Sequence, residues 1–392
     1  GETNKKSEAR GKAMKKILII MLTVMLLFAP WLTAHAEGPQ IRAKAWILMD
    51  AASGNVLMEH NADEPMECAG VVKTMSMLLI LDAVKTGRIS LTEPVTISNH
   101  AASMGGTQVF LDANSTHTVE NLIKAMVVCS ANDATVALAE KVAGSEEAFV
   151  DMMNKKAEVM GLTGRFTNAT GLGSDKTMTA RDVAAVCQEL ARYDLIYTWS
   201  KIYLENYIHP DGRKTEMVNQ NRLVRFYEGC DGFATGSTPT AGYCLAASVK
   251  RSGGRFIFVS LGSANSSTRF DDAKAAFDYA FAGFTAKTIV REGQELARNL
   301  AVTNGATPFI NAYAAEDFSA LIEKGKENTL EKELVLLEEI SAPVEEGQAL
   351  GYLRILLDGE EIGRVDVISK QKVEVLDFGN ALGRLLKFWL FF

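Results

Sequence analysis

Residues 43–59 read Ala-Lys-Ala-Trp-Ile-Leu-Met-Asp-Ala-Ala-Ser-Gly-Asn-Val-Leu-Met-Glu, two short apolar segments around a Ser-Gly-Asn turn. That pattern predicts a β-hairpin. From residue 73 to 86 the apolar positions recur at helical spacing and stop at Gly87, which predicts a buried helix with a glycine stop. Two further helices are predicted over 118–143 and 145–161. The first opens on Thr118 with Asn121 three residues on, and the second on Ser145-Glu146-Glu147, where acidic side chains favour a helix N-terminus. Residues 241–248 and 255–262 read as strands around Ser252-Gly253-Gly254, and 270–281 as a closing helix. Strands at both ends with helices between them predict an α+β fold, a sheet flanked by helices, rather than a doubly wound repeat. After about residue 286 the chain alternates in short segments. Residues 352–357 and 362–367 flank the turn Asp358-Gly359 and predict a small antiparallel β domain.

The two ends differ from this pattern. Lys15 and Lys16 precede an apolar run, 17–28, followed by Pro30 and the triplet Ala34-His35-Ala36. This predicts an export leader cut before Glu37. The competing reading, a membrane span, asks for about 20 apolar residues, more than this run holds. Residues 1–13 precede Met14 and stand outside the fold. At the far end, 376–392 are strongly apolar, with Arg384 and Lys387 three apart and so on one helical face. An amphipathic helix lying in a membrane interface is expected, the alternative being a helix docked on the protein's own core. The expected order is therefore leader 1–36, α+β domain 37–285, β domain 286–375 and terminal helix 376–392, with the protein on the outer side of the cytoplasmic membrane, in the cell wall or periplasm.

At 392 residues and 47% hydrophobic the chain can bury more than one core. A net charge of −7 with no dominant basic cluster argues against a nucleic-acid partner. Neither the five cysteines nor the five histidines show zinc spacing, and no metal or other cofactor is expected. The cysteines (Cys68, Cys129, Cys187, Cys230, Cys244) cannot all pair, and none sits in a C-x-x-C; they read as buried small hydrophobes.

Three stretches carry candidate chemistry. One is Ser130-Ala131-Asn132-Asp133-Ala134, inside a long helical segment. Another is Asp231-Gly232-Phe233-Ala234-Thr235-Gly236-Ser237-Thr238, leading into a strand. The third is Cys68-Ala69-Gly70-Val71-Val72-Lys73, leading into a helix. Together they resemble the low-molecular-mass penicillin-binding proteins that act as serine-type D-alanyl-D-alanine carboxypeptidases, peptidase S11. The resemblance runs from the first hairpin to about residue 284 and extends to the β domain and terminal helix. It implies a penicillin-binding, β-lactamase-like transpeptidase domain whose antiparallel sheet is flanked by helices.

In that family S-x-x-K supplies a nucleophilic serine and a lysine that takes its proton. S-x-N supplies a relay hydroxyl and a substrate-holding amide, and K-T-G a cation and hydroxyl for the substrate's carboxylate. The oxyanion hole comes from backbone N–H groups at the nucleophile and after K-T-G. The resemblance carries these roles to Lys73, Ser130 and Asn132, and substrate binding to Thr235, Gly236, Ser237 and Arg269. It also shows two departures: Gly70 stands at the nucleophile and Ala234 at the K-T-G lysine. Ser76 and Cys68 are the nearby candidates for a replacement nucleophile, and Ser369 to Lys372 is the sole literal S-x-x-K.

Two readings follow. One is a non-catalytic or impaired member of the family that binds peptidoglycan stem peptides or a cell-wall protein, with a membrane-surface contact through the terminal helix. The other is an active carboxypeptidase trimming peptidoglycan pentapeptides through an unrecognised nucleophile; a β-lactamase stands a distant third.

Overall fold

The computed structural model describes residues 38–173, 178–379 and 382. The predicted leader lies outside these residues, as does the predicted terminal helix apart from 376–379 and 382.

A five-stranded antiparallel sheet organises the first domain, in the order Val56–His60, Ala45–Asp50, Gly254–Ser263, Gly242–Arg251, Cys230–Thr238. Every residue of Ala45–Asp50 is buried. Both faces of the sheet are covered, so the strand reads as an unbroken apolar run rather than an alternation. Ile47 and Met49 join the larger core on one face. Trp46 and Leu48 face the other way, against Phe256, Phe258 and Phe277. The helix Ser266–Gly283 covers that second face, starting four residues before the predicted 270, where the Asn265 side chain accepts from Thr268 N.

The helix Lys73–Lys85 runs through the larger core, with ten of its residues buried. The helix predicted over 118–143 is in fact two, Val119–Cys129 and Asn132–Ala143. Ser130 separates them in the left-handed conformation (φ 62°, ψ 36°), and Ala131 is extended. No glycine or proline marks this break, and the apolar periodicity runs straight through it.

Downstream, a six-stranded sheet is built from Leu330–Leu336, Ala349–Leu357, Glu360–Ser369, Phe309–Ala314, Glu295–Thr303 and Ile340–Ser341, in that order. Phe284–Val290 pairs with Phe318–Glu323 beside it. Its own apolar core includes Ile310, Leu350, Ile355, Val365 and Val367. Asp358 and Gly359 both take positive φ, 53° and 80°, and turn one long strand into the next. The first domain is thus mixed α+β and the second all-β.

Candidate active site

The cleft lies where three local breaks in regular structure meet. The first is the 3-10 turn Ala69–Val72, which feeds directly into Lys73–Lys85. Ala69 holds φ at 47°, a conformation that non-glycine residues seldom adopt and that concentrates at functional sites. Gly70 follows. A Cβ placed on it would sit 2.8 Å from Thr235 O and 3.6 Å from Lys73 Nζ. The first distance is closer than a carbon tolerates, so position 70 lacks the room for a side chain as well as the side chain itself.

Lys73 sits at the first turn of its helix, 3% exposed, and donates to Thr170 O at 2.9 Å. Burial pulls its pKa down to about 7, opposed in part by the Cys129 sulfur. A lysine poised there exchanges a proton near neutral pH.

The second break is the left-handed Ser130. In a continuous helix residues 130 and 132 would project roughly 200° apart. The interruption puts both on one cleft. Asn132 N donates to Thr107 O and Asn132 Nδ2 to Gly105 O, each at 2.7 Å. Asn132 Oδ1 is buried without a partner among the described residues. The Ser130 hydroxyl makes no hydrogen bond among the described residues.

The third element is the edge strand Cys230–Thr238, paired along one side only, with Gly242–Arg251. The bidentate pair Arg255 to Asp231, at 2.7 and 2.8 Å, anchors its start. Gly236 lies so close to the 3-10 turn that a Cβ on it would be 2.2 Å from Gly70 N, so no other residue fits. Arg269 reaches the strand from the helix Ser266–Gly283 and donates through Nη1 to Gly236 O (3.1 Å) and Cys244 O (3.2 Å). It is 6% exposed, its ring partners are Tyr243 and Phe270, and its Nε is buried without a hydrogen-bond partner among the described residues. Burial lowers its pKa to about 10, with the Arg222 charge adding to the shift, so it remains a cation at neutral pH.

Gly70, Lys73, Ser130, Asn132, Thr235, Gly236, Ser237 and Arg269 all line one cleft of about 160 Å³. Ala234 does not. It borders an adjoining cavity of about 10 Å³, which it shares with Met77, Met126 and Phe233 and with Ser130, Gln220 and Thr235 of the cleft lining. Gly106, Thr107, Thr170, Gly171, Leu172, Gln220 and Thr238 complete the lining and were given no role from sequence. Apart from Thr238 they come from segments distant from the three motifs in the chain.

Neither proposed replacement for the serine lines the cleft. Ser76 is fully buried and donates to Ala169 O at 2.7 Å. Cys68 is 2% exposed, and burial drives its thiol pKa upward, away from the thiolate. Ser369, of the literal S-x-x-K, is buried in the six-stranded sheet and donates to Gln371 O. All five cysteines are buried and unpaired.

Residues 32–265 match the sequence profile of D-alanyl-D-alanine carboxypeptidase, peptidase S11. The chain belongs to that family. Its residues 284–375 match the penicillin-binding protein 5 C-terminal domain, so the β domain is shared as well. The D-alanyl-D-alanine carboxypeptidase DacF of Bacillus subtilis is 36% identical over 387 residues, covering 96% of this chain and 99% of the relative. DacC of Escherichia coli is 33% identical, covering 93% and 92%. Among solved structures, penicillin-binding protein 5 from Haemophilus influenzae superposes with a TM-score of 0.75 at 30% identity, covering 86% of this chain and 99% of that one. The family acts in peptidoglycan metabolism.

Proposed function

We propose that this carboxypeptidase-family protein binds peptidoglycan stem peptides ending in D-Ala-D-Ala and does not cleave them. The observation that carries the reading is Gly70: it offers no oxygen to acylate, and Thr235 O occupies the space a serine Cβ needs. Loss of a serine nucleophile costs on the order of 10⁶ in kcat in a hydrolase of comparable logic. Ser76 and Cys68 are too deeply buried to take over. The binding groups survive. An extended peptide adds to the free edge of Cys230–Thr238, its amide N–H meets Asn132 Oδ1, and its terminal carboxylate meets Arg269 with the hydroxyls of Thr235 and Ser237. Arg269 thus carries alone the charge that a lysine at 234 would share.

The test is incubation with an N-acetylated pentapeptide ending in D-Ala-D-Ala, with release of D-alanine followed by chromatography. No release above the uncatalysed background is expected at any pH between 5 and 9. Stoichiometric turnover that survives Ser130→Ala would instead point to a nucleophile elsewhere. Such a ligand places the protein on the outer face of the membrane, in the wall or periplasm. Residues 378–392 then hold it at the bilayer surface: their deletion should move the protein from the membrane fraction to the soluble one, and unchanged partition would reject that anchor.

A further inference from the structure

A second concavity opens beside the cleft, joined to it through Gln220, which lines both. Its volume is about 370 Å³, within the range of ligand pockets. The wall is aromatic: Tyr203 and Phe226 meet edge to face at 6.0 Å, and Phe226 is 62% exposed. Arg225 lies over both rings, 5.1 and 5.6 Å from their centroids, which holds its charge at the rim. Arg222, on the groove lining, is exposed, and its guanidinium has neither hydrogen bond nor ion pair among the described residues. Asn219 is fully used by the fold, donating to Ser200 O and Ile202 O and accepting from Asn221 N. No acidic residue is among the lining residues.

Arg222 and Phe226, four residues apart on one short helical turn, line the groove together, a cation beside an exposed aromatic with no carboxylate on the lining. Guanidinium binds carboxylate through a two-pronged hydrogen bond, and a flat ring beside it covers the aliphatic part of the same ligand. Arg222 also stands close enough to Arg269 to be felt electrostatically, so the groove and the anion end of the cleft share one field. On the reading of the cleft given above, a peptide seated there runs past Gln220 into the groove.

We propose that this groove is a second binding subsite, taking a carboxylate-bearing segment of a peptidoglycan peptide whose D-alanine link lies in the cleft. Arg222 pairs with the carboxylate while Tyr203 and Phe226 cover the adjoining aliphatic chain. A free carboxylate can come from either side of the D-alanine link. It is supplied upstream by a γ-linked D-glutamate, or downstream, in a cross-linked peptide, by the amino acid whose side-chain amine the D-alanine acylates.

Calorimetry with four synthetic peptides separates these cases. Two are an N-acetylated L-Ala-γ-D-Glu-L-Lys-D-Ala-D-Ala and its D-Glu carboxamide. The other two are diacetyl-L-Lys-D-Ala joined to the Nε of Nα-acetyl-lysine and its carboxamide. For one pair the carboxylate should bind the wild-type protein about tenfold more tightly than the amide, the size of one charge-assisted pair. That ratio should fall close to one in Arg222→Gln and shrink in 0.5 M NaCl. Phe226→Ala should weaken carboxylate and amide alike by about threefold or more. Equal affinities within both pairs, or a ratio that survives Arg222→Gln, would overturn the subsite. Diacetyl-L-Lys-D-Ala-D-Ala, which cannot reach the groove's carboxylate position, tests the cleft alone. If it fails to bind while an Arg222-dependent ratio persists, the groove stands and the cleft reading falls. If no peptide binds, both fall.

Discussion

The two walls of the cleft are equipped differently. The helical wall keeps its polar equipment: Lys73 on Thr170 O, Ser130 in a left-handed turn, and Asn132 held by Gly105 and Thr107. The strand wall has closed in. Thr235 and Gly236 lie against Gly70, and Ala234 borders a small adjoining cavity that Ser130, Gln220 and Thr235 also line. The difference teaches what each wall was for. Acylation needs an oxygen at 70 and space around it; Gly70 carries no side chain, and a Cβ there would meet Thr235 O. Binding needs unpaired donors and acceptors facing a ligand. Asn132 Oδ1 and Arg269 Nε remain buried and unpaired, at a cost of about 1–3 kcal/mol each. A decayed site would shed such groups, since an apolar replacement would stabilise the fold.

The comparison is broken most dramatically by rebuilding the strand wall. The double variant Gly70→Ser/Ala234→Lys should acquire covalent labelling by a fluorescent penicillin. It should also lose about 1–3 kcal/mol of stability, because the new Cβ at 70 forces Thr235 O to retreat. A folded double variant that takes no label would mean the helical wall has decayed too. Next in size is Arg269→Gln. It removes the remaining carboxylate cation and the bonds to Gly236 O and Cys244 O, and affinity for a D-Ala-D-Ala peptide should fall by about tenfold to a hundredfold in calorimetry.

Lys73→Met sharpens the helical side through pH. The folded lysine releases its proton near pH 7 and the unfolded one near 10.5, so the unfolded chain binds more protons between those values. This group's contribution to stability therefore rises with pH across that window. Chemical denaturation should find Lys73→Met more stable than wild type by on the order of 1–3 kcal/mol at pH 6. Near pH 10 it should be about 1 kcal/mol less stable, where a neutral lysine still bonds Thr170 O and methionine does not. A stability difference independent of pH would mean that Lys73 is charged in the fold. The smallest expected effect is that of Asn132→Ala: affinity down by about fivefold to tenfold, with stability within about 1 kcal/mol because the lost bond to Gly105 O is offset by removal of an orphaned Oδ1.

Much of this was legible from residue order. The first hairpin, the buried helix after Lys73 and the paired strands around Ser252 and Gly253 follow from apolar spacing and turn residues. The motif positions predicted from resemblance do converge, apart from Ala234. The break at Ser130 was not legible: tertiary contacts there impose a left-handed serine between two apolar helical runs, and the local sequence carries no breaker. Arg222 and Gln220 escaped notice because they carry no motif, and only folding brings their segment to the cleft. Nor does a glycine at 70 announce that the neighbouring strand has filled its place, since that is a matter of distances rather than identities.

The claim at the centre is that the cleft holds its ligand without reacting with it. The most direct measurement pairs equilibrium binding of diacetyl-L-Lys-D-Ala-D-Ala with intact-mass analysis of the wild-type protein after prolonged exposure to benzylpenicillin. The account predicts saturable peptide binding that Arg269→Gln weakens, together with an unchanged protein mass. A protein carrying one penicilloyl adduct, or one that binds no peptide at all, would contradict it.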